Sequence, residues 1–144
     1  MAITTAMCNS FKVELLKGVH NFTNGTGHEF KAALYTSSTT LDKNTTAYGT
    51  PTNEITGTGY TAGGNALTNV TPSLATDTAI TDFSDVSWTT ASFTANGALI
   101  YNNTASGDPA VCTLAFGSDK TVSSGTFTIV FPTADASNAI LRLA

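Results

Sequence analysis

Few side chains in this sequence are placed to do chemistry. His20 and His28 flank a glycine-containing loop, with Glu14 and Glu29 nearby. A metal centre wants three or four converging ligands at motif spacing. Two histidines on either side of one loop fall short of that, and ordinary surface or loop histidines are the favoured reading. Asp82 and Asp85 are the closest pair of carboxylates. Paired acid and base groups would need a nucleophile or substrate partner, and none is visible, so turn or capping duty is expected. The glycines between residues 53 and 64 form no G-x-G-x-x-G and carry no P-loop lysine; bulges, turns or close backbone approach are their expected use. The lone Trp88 reads as a core anchor, with stacking on a sugar as the sharper alternative. No Ser-His-Asp, Cys-His or clustered-carboxylate constellation is present, which disfavours an enzyme. No catalytic residue, metal ligand or cofactor is expected.

Cys8 and Cys112 are the only cysteines, too few and too widely spaced for a secreted disulfide scaffold. Two free, buried thiols behaving as small hydrophobes are expected. The N-X-S/T triplets at Asn21, Asn24, Asn44, Asn69 and Asn102 read as products of an Asn- and Thr-rich composition, because no secretory signal opens the sequence. Synthesis in a cytoplasm follows as the default expectation, and no apolar run is long enough to span a membrane.

The scaffold for these residues follows from composition. With 144 residues the chain is expected to be one domain, able to bury a single core. Charged residues make up 11%, hydrophobic residues 41%, and the net charge is −4. Disorder would combine low hydrophobicity with high net charge, so a folded β protein is the better reading. A phosphate-backbone binder would need clustered Lys and Arg, and the six cations here are scattered. Thr supplies about one residue in five and suits strands facing water. A surface with so little charge also lacks a strong deterrent to association.

Alternation dominates from residue 93 to 131. Strands are expected over residues 93–101, 110–116 and 126–131, separated by turns at 102–109 and 117–120. Residues 29–35 form an earlier strand, 66–70 another stopped by Pro72, and 139–144 the last. The one helical signal covers residues 5 to 22, where Cys8, Phe11, Leu15, Val19 and Phe22 recur at three- and four-residue steps. Thr4 or Thr5 would cap its start and Gly18 would end it. The expected architecture is all-β: an antiparallel β-sandwich, jelly-roll-like, of about eight strands, with one short N-terminal amphipathic helix. Residues 1–28 form an arm and helix, and residues 29–144 the β core. The helix stripe either plugs an open end of the sandwich or docks on a partner.

Several of these stretches resemble one family of proteins. The opening Met1-Ala2-Ile3-Thr4-Thr5-Ala6-Met7-Cys8-Asn9-Ser10-Phe11-Lys12, followed by Leu15-Leu16-Lys17-Gly18-Val19-His20-Asn21-Phe22, looks like small virion proteins of tailed bacteriophages. So do Phe30-Lys31-Ala32-Ala33-Leu34-Tyr35, Gly57-Thr58-Gly59-Tyr60-Thr61-Ala62-Gly63-Gly64 and Gly97-Ala98-Leu99-Ile100-Tyr101. The run from Phe116-Gly117-Ser118-Asp119-Lys120 to Thr126-Phe127-Thr128-Ile129 is similar as well. The resemblance implies a non-enzymatic capsid decoration (cement) protein on the outer surface of the phage head. It implies the major capsid protein as partner and symmetric self-association, a trimer being favoured. No nucleic-acid or membrane partner is expected. The implied contact segments are the arm and helix, with Phe11, Leu15 and Phe22, and the polar loop 36–51, with Leu41 and Tyr48. The alternative within the same class is a tail, connector or fibre subunit, whose receptor-binding version would need an exposed aromatic groove at Trp88 or Tyr60.

Overall fold

The computed structural model describes residues 1–144. In chain order the elements are β1 (Ala6–Met7), α1 (Asn9–Leu16), β2 (Phe30–Tyr35), β3 (Asn65–Ala66), β4 (Asn69–Ala75), β5 (Thr78–Phe83), β6 (Val86–Asn102), β7 (Ala110–Ile129) and β8 (Leu141–Leu143). They build two sheets of antiparallel neighbours, ordered β1-β7-β6-β2-β3 and β4-β5-β8. The all-β class expected from composition is what the chain adopts.

The alternating run does become the spine, but as one long hairpin of β6 and β7. The expected turn at 117–120 is a bulge instead: residues 116–119 oppose the single Asn96, whose amide donates to Asp119 Oδ1 at 2.9 Å. Bulges also occur at Thr90 (φ +48°) and Ser124 (φ +46°), each adding local twist to a ribbon too long to stay flat. Along β6 the inward parity carries Val86, Trp88, Ala91, Phe93 and Ala95, all buried, while Ser87, Thr89 and Thr94 face water. Hydroxyl pairs bridge the outer face, Ser87 to Thr128 and Thr94 to Thr121, both at 2.8 Å. Pro72 does not stop its strand. It lies within β4, the edge of the smaller sheet, beside the register shift between Val70 and Ser73, where a missing N–H is tolerated.

The helix is shorter than its periodicity suggested. It runs for two turns, the N-cap is Cys8 with no side-chain bond, and Val19 and Phe22 lie beyond its end. Gly18 does end it: at φ +73° it takes the left-handed conformation that glycine adopts without a Cβ penalty. Phe22, thrown back by that turn, stacks on Phe30 of β2 at 4.3 Å between ring centroids. Phe30 and Phe22 also meet Phe83 of β5, and Phe83 meets Phe131, so four rings join the two sheets.

The loop 36–51 is less of an excursion than its polarity implied. Thr4 N–H donates to Leu41 O, Leu41 N–H to Ala2 O, and Asn9 N–H to Lys43 O. On its far side Tyr48 N–H reaches Asp108 O, and Ala110 N–H reaches Thr46 O. Arm and loop are therefore stitched to each other and to the start of β7. The glycine-rich stretch behaves as expected of close approach: a Cβ on Gly64 would sit 1.8 Å from Ala32 O.

Candidate assembly surface

Three of the five contact residues taken from the resemblance converge. Phe11, Leu15 and Phe22 line one apolar groove between α1 and the β4–β5–β8 sheet, together with Ala79, Leu141 and Leu143. The groove measures about 100 Å³, room for one aliphatic side chain from outside. Register explains its far wall. Leu74, Ala79 and Leu143 pair across the three strands as one row, next to the row of Thr81 and Leu141. Side chains two apart share a face, so the core-facing side of this sheet continues outward past its cover. Leu74 is left 71% exposed and Leu143 55% exposed. On the helix, Val13 and Leu16 point away from Phe11, and Leu16 is 92% exposed. Lys12, Lys17 and Lys43 are exposed on and beside α1, with Glu14 and Asp42 among them.

The structure corrects the individual assignments. Phe11 and Phe22 form the buried floor of the groove, and Leu41 is fully buried beneath the loop that carries it. Those three side chains are committed inside the chain and offer little area to a partner. Leu15 is half-buried in the groove wall. Tyr48 lies elsewhere, stacked on Tyr101 at 4.6 Å. The exposed apolar groups are Val13, Leu16, Leu74 and Leu143, with Val130 and Met1 apart from them. Helical spacing pointed to the inward stripe and could not show which neighbours stay uncovered.

Tyr48 belongs to a cluster that spacing did not reveal. All four tyrosines of the chain surround Glu54. Tyr48 OH donates to Glu54 Oε2 at 2.7 Å, and Tyr60 OH donates to Oε1 at 2.6 Å. Gly63 N–H also reaches Oε1 at 2.7 Å, and Tyr101 OH donates to Gly63 O at 2.7 Å. Burial first, then the bond to Glu54, pushes the Tyr48 phenol up to about 12, and the Tyr60 phenol rises for the same reasons. These phenols stay protonated and serve as donors that pin the loop.

The other reactive-looking groups are similarly committed. Asp82 is buried, with Oδ1 accepting from Phe83 N–H at 2.8 Å and Oδ2 from Ile140 N–H at 3.3 Å. Burial holds its carboxyl above the usual aspartate range against those two bonds. Asp85 Oδ1 accepts from Phe131 N–H at 2.8 Å, so the pair anchors the C-terminal segment. Cys8 and Cys112 are free and buried, and burial pushes the Cys8 thiol up to about 11. Trp88 is 2% exposed, packed against Tyr60 and Phe127, and presents no ring face to a sugar.

The histidines need a correction. They are not loose surface groups. His20 is buried and His28 half-buried, and both reach the side chain of Asn102. No three His, Cys, Asp or Glu side chains converge as a metal site. No helix is long and apolar enough to cross a membrane.

No protein-family model, curated protein or solved structure matches the chain.

Proposed function

We propose that this chain is a non-enzymatic structural protein of a tailed-phage virion, a capsid decoration protein that bridges and stabilises major capsid subunits on the outer head surface. The observation that carries this reading is the uncovered groove with Leu74 and Leu143 on its sheet side. Burying a leucine side chain is worth about 1.5–3 kcal/mol, and a contact made only in the assembled shell shifts the equilibrium toward that shell. The resemblance of the arm, β2 and the β6–β7 hairpin to tailed-phage virion proteins points the same way. The carboxylates and thiols described above are spent on internal bonds or burial, in keeping with a structural role.

In this reading the two sheets form an antiparallel sandwich of jelly-roll-like course. Its support is the contact of Phe30 with Phe83 across the sheets, together with the β1-to-β7 and β2-to-β6 pairings, which join strands far apart in sequence. The protein acts as a symmetric homo-oligomer, with a trimer the arrangement that suits a site among neighbouring capsid subunits.

The test is co-sedimentation of the purified chain with capsids stripped of accessory proteins. Saturable binding, with a raised melting temperature for the capsids, is expected. Capsids that neither retain the chain nor gain stability would contradict the proposal.

A further inference from the structure

Asn102, the last residue of β6, has every hydrogen-bonding position of its side chain occupied. Oδ1 accepts from Thr104 N–H at 3.0 Å and from Ala105 N–H at 3.1 Å. Those two backbone donors fix which end of the amide is oxygen. Nδ2 is then the other end, and it lies 3.0 Å from His20 Nδ1 and 2.9 Å from His28 Nδ1. An amide nitrogen only donates, so both imidazoles must accept at Nδ1 and carry their proton on Nε2. His20 Nε2–H then points at Glu14 Oε1, 3.5 Å away, which completes a consistent chain of donors and acceptors.

We propose that the His20–Asn102–His28 bridge is an acid-sensitive latch joining the arm at residues 17–29 to the β6–β7 turn. Protonating either imidazole at Nδ1 turns its acceptor into a donor facing a donor. Asn102 cannot answer by flipping, because a flip would set its amide hydrogens against Thr104 and Ala105 N–H. Acid therefore opens the bridge rather than rearranging it.

The surroundings set the sign. His20 sits among the rings of Phe11, Phe22 and Phe30. The charged or titratable groups acting on it are Glu14 from α1 and His28 from the arm. Glu29, beside His28, is held by the Asn103 side chain at 2.8 Å. Burial lowers the His20 imidazole below its ordinary range, and the bond and charge of Glu14 only partly oppose this. The unfolded chain thus takes up a proton near pH 6.5 that the folded chain refuses until lower pH. Stability is complete above the ordinary histidine range and is lost as pH falls through it.

Opening would reach beyond the turn. His28 O accepts from Asn69 Nδ2 at 3.0 Å, and Asn24 N–H donates to Thr71 Oγ1 at 2.9 Å, so the same arm is tied to β4 of the other sheet.

The test uses the full chain in two ways. Nitrogen NMR of the neutral protein should show both imidazoles as Nε2–H tautomers. On acidification the signals of residues 20–29 and 102–105 should move together with the titration of His20, below its ordinary range. An Nδ1–H tautomer at either histidine, or a turn that does not respond when His20 titrates, would overturn the latch. Asn102→Asp supplies the second readout: a carboxylate between two imidazoles favours their protonated forms. The wild type should lose several degrees of melting temperature between pH 7.5 and 5.5, while the variant gains over the same interval. Identical pH profiles would also refute it, and if the variant does not fold the tautomer measurement decides alone.

Discussion

Replacing Glu54 by alanine is expected to cost about 3 kcal/mol and to lower the melting temperature by roughly 6–12 °C. One carboxylate accepts from two phenols and from Gly63 N–H. Hydrogen bonds to an ionised acceptor are worth about 1.5–3 kcal/mol each, and three that share a partner do not add fully. Part of the site is open to water, which holds the total near the lower end. Tyr60 OH also accepts Leu34 N–H at 2.9 Å, so a Tyr60 ring set adrift would disturb β2, an interior strand of the larger sheet beside the central β6. Glu54→Gln keeps one oxygen for Tyr60 and Gly63 but turns an amide toward the Tyr48 hydroxyl, and about half the loss is expected. Thermal melts of the two variants check this. If both melt with the wild type, the four-tyrosine cluster does not hold the loop.

The second large effect lies in binding. Leu143→Asp should leave the melting temperature within a degree or two, because the side chain is more than half exposed and substitutions at such positions shift stability by about 0.5 kcal/mol or less. Its co-sedimentation with capsids should weaken about 100-fold. A partner side chain seated in the groove would bury the new carboxylate without a counter-charge, at a cost on the order of 3 kcal/mol. Leu16→Asp tests the helix side of the surface in the same assay, and comparing the two variants shows which face the partner covers. Deleting residues 1–22 would not do this, since Cys8, Phe11 and Phe22 belong to the core and the deletion would unfold the chain. Wild-type binding by Leu143→Asp would remove the groove from the assembly surface.

Local pattern exposed the strands and hid the partnerships between them. Alternation in residues 93–101 and 110–116 marks β6 and the start of β7, because a sheet with one buried face imposes period two on its sequence. The same pattern could not tell a turn from a bulge at 117–120, since both place Gly, Ser and Asp side by side. Phe11 and Phe22 were legible as apolar and inward. Val19 and Phe22 matched a helical period by coincidence, and Gly18 ended the helix before either. Glu54 carries no local signal, because its donors arrive from residues 48, 60 and 63, and only folding brings them to one carboxylate. Asn102 is the stronger case. It read as the first residue of a turn; it is the last residue of β6, and its role depends on two histidines more than seventy positions earlier. The groove was visible only as an amphipathic stripe, and its open lip at Leu74 and Leu143 follows from a three-strand register that no spacing along the chain records.

The most direct test of the decoration reading is the copy number of this chain in purified virus particles, measured by quantitative mass spectrometry against the major capsid protein. The account predicts hundreds of copies, in a ratio approaching one to one with the capsid subunit. A few to a dozen copies would contradict head-wide cement duty and move the protein to the tail or connector, and absence from particles would overturn the virion reading itself.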